Sequence, residues 1–161
     1  MHTIRLRGPW NYLPLCRTTW TAEGTSTETE GVVPPGGRLN MPADWQSILG
    51  NDFFGRVQFQ RHFHCPTGLT DQDQVFIAIE QVDALGSVQL NGQHLGDIPV
   101  TAGPTRFDIT ILLQQRNTLE VVVDLPLLHA DSAPLERPGR DQLAGGLIGE
   151  VALQIQSPDH E

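Results

Sequence analysis

Four side chains close together in the sequence could recognise a polyhydroxylated ligand: Arg137, Arg140, Asp141 and Gln142. Guanidinium and amide groups donate hydrogen bonds, carboxylate and amide oxygens accept them, and sugar hydroxyls need both. All four lie in the segment 126–146 (PLLHADSAPLERPGRDQLAGG), which has three prolines and no clean periodicity. Irregular segments of this length inside a compact domain are usually either functional or disordered. Trp20, beside the polar stretch 24–30 (GTSTETE), is the aromatic side chain best placed to stack on the apolar face of a ring. Trp45 is expected to plug one end of the core. These five residues, Trp20, Arg137, Arg140, Asp141 and Gln142, form the expected ligand-binding set, with Arg140 and Asp141 as its most direct contacts.

Other groups suggest chemistry and then lose the suggestion. His62 and His64 share one face of a strand, as a metal-binding pair would, because alternate residues of a strand point the same way. No third ligand is evident nearby, so they read as solvated histidines and no metal or other cofactor is expected. Cys16 and Cys65 fit neither a disulfide framework nor a zinc set and read as two small buried residues, or as one disulfide should the chain be exported. Arg61 shares the face of Val57, Phe59 and Phe63, which places a guanidinium toward the core. A buried arginine without a partner is costly, so the expectation is an internal ion pair rather than a ligand contact. Arg61 and Glu80 are the expected pair, with Asp83 and Asp108 as the other acidic candidates.

These residues need a scaffold, and the hydrophobic pattern supplies one. Val57, Phe59 and Phe63 alternate with Gln58, Gln60, His62 and His64, the period of a half-buried strand. Gln74 to Val82 is apolar on both faces in its middle. Within Ser87 to Leu95, Asn91-Gly92 is the pair that supplies positive φ twice, the signature of a tight type I′ hairpin. Arg106–Leu113, Thr118–Asp124 and Val151–Gln156 complete the strand series. No stretch sustains a helical period. Many short strands at this spacing predict an all-β fold, a jelly-roll β-sandwich. Its expected core is Val75, Ile77, Ile79, Val88, Leu90, Phe107, Ile109, Leu119, Val121, Val123, Val151 and Leu153.

Length and charge bound the rest. The 161 residues suit one domain, 1–161, large enough to bury a core without metal or disulfide. Ten basic residues, all arginine, face 19 acidic ones, for a formal net charge of -9. Nucleic acid and anionic membrane surfaces need clustered cations, and nothing here clusters in sequence. The expected partner is a neutral one, such as a carbohydrate or another protein. The start, MHTIRLRGPW, has no apolar export signal, so the default expectation for location is the cytoplasm.

The order of the pieces resembles the N-terminal sugar-binding domain of glycoside hydrolase family 2, the family of β-galactosidases, β-glucuronidases and β-mannosidases. The matching pieces run from Met41-Pro42-Ala43-Asp44-Trp45 through Phe54-Gly55 and Phe59-Gln60-Arg61-His62-Phe63. They continue with Gln81-Val82-Asp83-Ala84, Val88-Gln89-Leu90-Asn91-Gly92, Leu95-Gly96, and Phe107-Asp108-Ile109-Thr110 with Leu112-Leu113. Asn117-Thr118-Leu119-Glu120-Val121 and Gly145-Gly146-Leu147 before Val151-Ala152-Leu153 complete a resemblance over roughly residues 40–155. It implies a galactose-binding-like jelly roll. In the family, such a domain precedes an immunoglobulin-like domain and the (β/α)₈ barrel that holds two catalytic glutamates. It also implies that Asp141 matches an aspartate that several members extend toward the barrel's sugar site.

A barrel needs about 250 residues, so the expectation is a noncatalytic, carbohydrate-binding-like domain, stand-alone or accessory to a separate hydrolase. The competing reading is a structural or protein-interaction β-sandwich with no sugar site. An independent hydrolase ranks last, since retaining glycosidases need two carboxyl groups about 5 Å apart and the family's pair lies outside this domain.

Overall fold

The computed structural model describes residues 1–41, 45–50, 52–98, 103–135 and 146–158. In chain order the elements are β1 (His2–Arg5), β2 (Trp10–Trp20), β3 (Ser26–Thr29), β4 (Gly37–Leu39) and the short helix α1 (Trp45–Leu49). Then follow β5 (Gly55–His64), β6 (Gln74–Asp83), β7 (Leu85–Leu90), β8 (Gln93–Ile98), β9 (Thr105–Asp108), β10 (Arg116–Leu125) and β11 (Gly146–Gln156). Among the described residues they form two antiparallel sheets. One has the order β1-β11-β6-β9, and the other runs β3-β2-β5-β10-β7-β8 with β4 also paired to β2.

The inner faces of the two sheets meet in the core. Val57, Phe59, Leu119, Val121, Val123, Val88 and Leu90 of the larger sheet pack toward Val75, Ile77, Ile79, Val151 and Leu153 of the smaller one. Every residue of the expected core is buried except Phe107, which is half-buried beside the core. Phe107 lies on edge strand β9, against Gly96, where a Cβ would come within 2.8 Å of its ring. The hairpin is as expected: Asn91 and Gly92 have φ of 52° and 82°, both positive as a type I′ turn requires.

Two elements depart from the expected pattern. The strand expected over Arg106–Leu113 ends at Asp108. There the Asp108 carboxylate accepts the Thr110 amide (3.0 Å) and hydroxyl (2.6 Å), and the amides of Leu112 and Leu113 both turn back to the Ile109 carbonyl. Those Thr110 bonds, hydroxyl first, hold the Asp108 carboxyl below the usual carboxylate range. The second departure is α1, which no periodicity announced. It buries Trp45 and Leu49 in the core, and Trp45 stacks on Phe53 with centroids 5.6 Å apart.

Among the described residues three strand pairs show register shifts, and those on β2 and β11 bear on which side chains face where. β2 pairs β5 through Pro14↔Val57 and then Cys16↔Arg56, leaving Leu15 as an extra residue. Before this bulge Trp10, Tyr12 and Pro14 face the core; after it Cys16, Thr18 and Trp20 lie on the outer face with Arg56. On β11, a second bulge lies between Ile148 and Val151. Gly149, at φ 85°, passes against Glu80, whose carboxylate accepts the Glu150 amide at 2.8 Å.

Candidate functional site

The outer face of the larger sheet is where polar side chains gather. At one end of the β5–β10 pair, Arg56 lies opposite Asp124. Arg56 Nε donates to Asp124 Oδ2 at 3.2 Å, and the Thr18 hydroxyl donates to Asp124 Oδ1 at 2.7 Å. Thr18 is 1% exposed and Asp124 8%. Cys16 sits beside them as a free thiol, and burial pushes its pKa up, against the lowering effect of Arg56.

The first half of the long segment joins this end. The Trp20 amide donates to the Leu127 carbonyl (2.9 Å) and the Leu127 amide to the Thr18 carbonyl (3.0 Å). The Ser132 hydroxyl then donates to the Trp20 carbonyl at 2.5 Å, and the Ala133 amide to the Thr21 carbonyl at 2.9 Å. Residues 127–133 therefore run along the end of β2, although Ser132 and Trp20 are 112 positions apart in the chain. Trp20 is half-buried there, and its indole Nε1 is buried without a hydrogen-bond partner, as is the hydroxyl of Ser26 directly across on β3. Of the expected ligand-binding set, only Trp20 belongs to the described residues. Arg137, Arg140, Asp141 and Gln142 lie outside them.

The expected ion pair does not form. Arg61 does share the inward side of β5, opposite Leu119 of β10, and burial pushes its pKa down. Glu80, however, is an outer-face residue of β6 in the other sheet, and its carboxylate is engaged at the β11 bulge. The two side chains point to different sides of the smaller sheet, so they cannot meet. No carboxylate among the described residues pairs with Arg61, whose Nη1 donates to the His62 carbonyl and whose Nε is buried without a partner. Asp108, another candidate, is exposed and engaged by Thr110.

At the opposite end of the same outer face, His62 lies across from Thr118 and His64 across from Arg116. His62 Nδ1 and Thr118 Oγ1 are 3.0 Å apart. A shallow cleft of ≈ 370 Å³ is lined by His62, Phe63, His64, Arg116, Asn117 and Thr118. Its backing is rigid. Asn117, 2% exposed, donates to the Phe63 and Gln114 carbonyls (3.4 and 2.8 Å) and accepts from the Gln114 amide and the Asn91 side chain (2.9 and 3.0 Å). The histidine alternation was visible in the sequence, but Arg116 and Thr118 join it only through the strand register. Among the described residues, no three His, Cys, Asp or Glu side chains converge as a metal site.

Two curled antiparallel sheets packed face to face, with this strand order, make an all-β galactose-binding-like sandwich. The family model "Glycosyl hydrolase 2 galactose-binding domain-like" matches residues 53–152, and the chain belongs to that family. No curated protein sequence matches it. Among solved structures, a β-glucuronidase from glycoside hydrolase family 2 is similar, with a TM-score of 0.70 and 20% identity over 97% of this chain and 18% of that one. The Bifidobacterium dentium β-glucuronidase complexed with coumarin-3-O-glucuronide gives a TM-score of 0.68 and 21% identity, over 98% of this chain and 30% of that one. The rhamnosidase from Novosphingobium sp. gives 0.66 and 18%, over 97% and 15%. At these identities the likeness is one of fold. The chain spans less than a third of the length of each of these enzymes.

Proposed function

We propose that this chain is a noncatalytic, carbohydrate-binding-like domain, stand-alone or accessory to a family 2 hydrolase, and that the segment 126–146 is its ligand-facing part. Membership of the galactose-binding-like family carries the reading. The fastening of Leu127–Ala133 along the end of β2 supports the location, because it brings the start of that segment beside Trp20. Arg137, Arg140, Asp141 and Gln142 follow in the same segment and supply the donors and acceptors that sugar hydroxyls need. Asp141 and Arg140 are the proposed direct contacts. The ligand is a neutral sugar, so affinity changes little with salt. It is also weak for the isolated domain, because polar loops must be ordered and hydroxyls desolvated on binding.

The test is a nuclear magnetic resonance titration with neutral mono- and oligosaccharides. The expected result is a set of shifts at Trp20, residues 127–135 and the following segment, unchanged by added salt. Shifts confined to the opposite end of the sandwich overturn the location. No shift with any sugar overturns the carbohydrate reading in favour of a domain whose segment docks on protein.

A further inference from the structure

We infer that His62, His64, Arg116 and Thr118 form an oxyanion-binding cleft, one that takes a carboxylate or a sulfate-like group carried on a ligand. The four side chains form a two-by-two array. Cross-strand neighbours are separated by about 5 Å, and residues two apart on one strand by about 7 Å. All four sit on the outer face, with His62, His64 and Arg116 exposed. The array holds two imidazoles, a guanidinium and a hydroxyl, and every one of these groups can donate a hydrogen bond.

Among the described residues, no ion pair neutralises the array. The chain carries a formal net charge of -9, yet no carboxylate among the described residues pairs with Arg116, His62 or His64. The charged and titratable groups around the array are few. On β10 the next outward residue is Glu120, held by Gln60 Nε2 at 3.2 Å. On the inward side, Arg61 donates to the His62 carbonyl and adds positive potential from behind. Outward positions Asn11 and Leu13 of β2 and Gln89 of β7 are uncharged. Cys65 continues the chain after His64, and its amide donates to the Gln115 carbonyl at 3.0 Å. In the following turn Asp73 is engaged by Thr70 and Ser157, and Asp71 is exposed.

Arg116 directly opposite His64 also decides the sign of the ligand. A cation between the two histidines would face a guanidinium and find no carboxylate or thiolate to complete its coordination. An anion meets up to three positive groups. The backing is preorganised, since Asn117 fastens the start of β10 to the end of β5 and to the β7–β8 turn. Binding is coupled to histidine protonation. A protonated imidazole is a cation that donates from both ring nitrogens, and a histidine side chain takes up that proton in acid. The oxyanion therefore binds more tightly in acid.

The experiment is a titration of the whole chain with sodium sulfate and, separately, sodium glucuronate, at constant ionic strength and at pH 5.5 and 8.0. Glucose serves as neutral control, and the histidine ring resonances are followed by nuclear magnetic resonance. Both probes keep their charge between these pH values, so any pH dependence belongs to the protein. The expected result is saturable movement of the His62 and His64 signals, with affinity about tenfold or more higher at pH 5.5. Arg116→Gln should weaken binding at both pH values without changing the thermal midpoint. His64→Asn should remove most of the pH dependence. Response to glucuronate alone assigns the cleft to a uronate carboxylate, response to sulfate alone to a sulfate-like group, and response to both to oxyanions generally; each supports the cleft. Equal movement with sodium chloride, or binding indifferent to Arg116→Gln, overturns it. Glucose response at the Trp20 end is a separate readout, so this inference and the carbohydrate reading fail independently.

Discussion

Strands β5 and β10 carry, on the same outer face, two ends that treat cations in opposite ways. At one end Arg56 opposes Asp124 in register, Thr18 adds a hydroxyl, and residues 127–133 run alongside. At the other end Arg116 opposes His64, the flanking histidine meets only a threonine hydroxyl, and the face is open. The first arrangement satisfies itself and is structural; the second is left with donors and net positive character to spare. A neutralised charge holds a fold together, whereas an unneutralised one beside rigid backing can hold something else.

The largest expected effect comes from the anchor beneath the open end. Asn117→Ala removes a side chain whose two donors and carbonyl oxygen are all engaged, and strands partners on β5, the β7–β8 turn and the turn before β10. It should cost about 3 kcal/mol, lowering the melting midpoint by about 6–12 °C for a domain of this size. A drop under about 2 °C would show that the open end is not held rigidly, and the contrast with the closed end would fail.

The closed end should respond less. Asp124→Ala orphans Arg56 and Thr18, but Arg56 keeps a 35% exposed side chain and can recover water. About 2 kcal/mol is expected, read from urea unfolding with an unchanged slope. Thr18→Val should reproduce part of that loss. If neither variant is destabilised, the Arg56–Asp124 pair is ornament and the two ends do not differ in kind.

Arg61 should respond least, and in the opposite direction. It is desolvated and has no carboxylate partner, so Arg61→Met removes an uncompensated burial and keeps the packing stem. The expected outcome is neutral to about 1 kcal/mol more stable. A loss above about 2 kcal/mol in the same unfolding experiment would restore an ionic role for this side chain.

Period-2 alternation made β5 and the end of β11 legible, because each must bury one face and a strand cannot hide its parity; β6 was legible as a short run apolar on both faces. Asn91-Gly92 was legible for a similar reason: few residue pairs tolerate two positive φ values. The short helix was not, since five residues hold little more than one turn and no period can be read from them. Arg61's inward orientation followed from its strand, but the expected Glu80 partner did not, because partners across a sandwich depend on which face of the second sheet a residue occupies. The cleft at His62 and His64 was half-legible. Its histidines share one strand, while Arg116 and Thr118 arrive from a position more than fifty residues away through register alone. Of the ligand-binding set, Trp20 can be placed in the fold.

The extra residue at Leu15 turns β2 into a strand with two phases. Trp10 and Trp20 are an even number of positions apart, so an unbroken pleat would send both into the core or both out. Instead Trp10 is 0% exposed in the core and Trp20 lies on the outer face. A single deletion at Leu15 would thus act as a parity inversion rather than a shortening. Everything downstream on β2 would exchange sides: Cys16, Thr18 and Trp20 would turn inward, and Arg17, now over the Phe53 ring at 5.3 Å, would turn out. One codon keeps the polar edge and the apolar interior in separate compartments of the same strand.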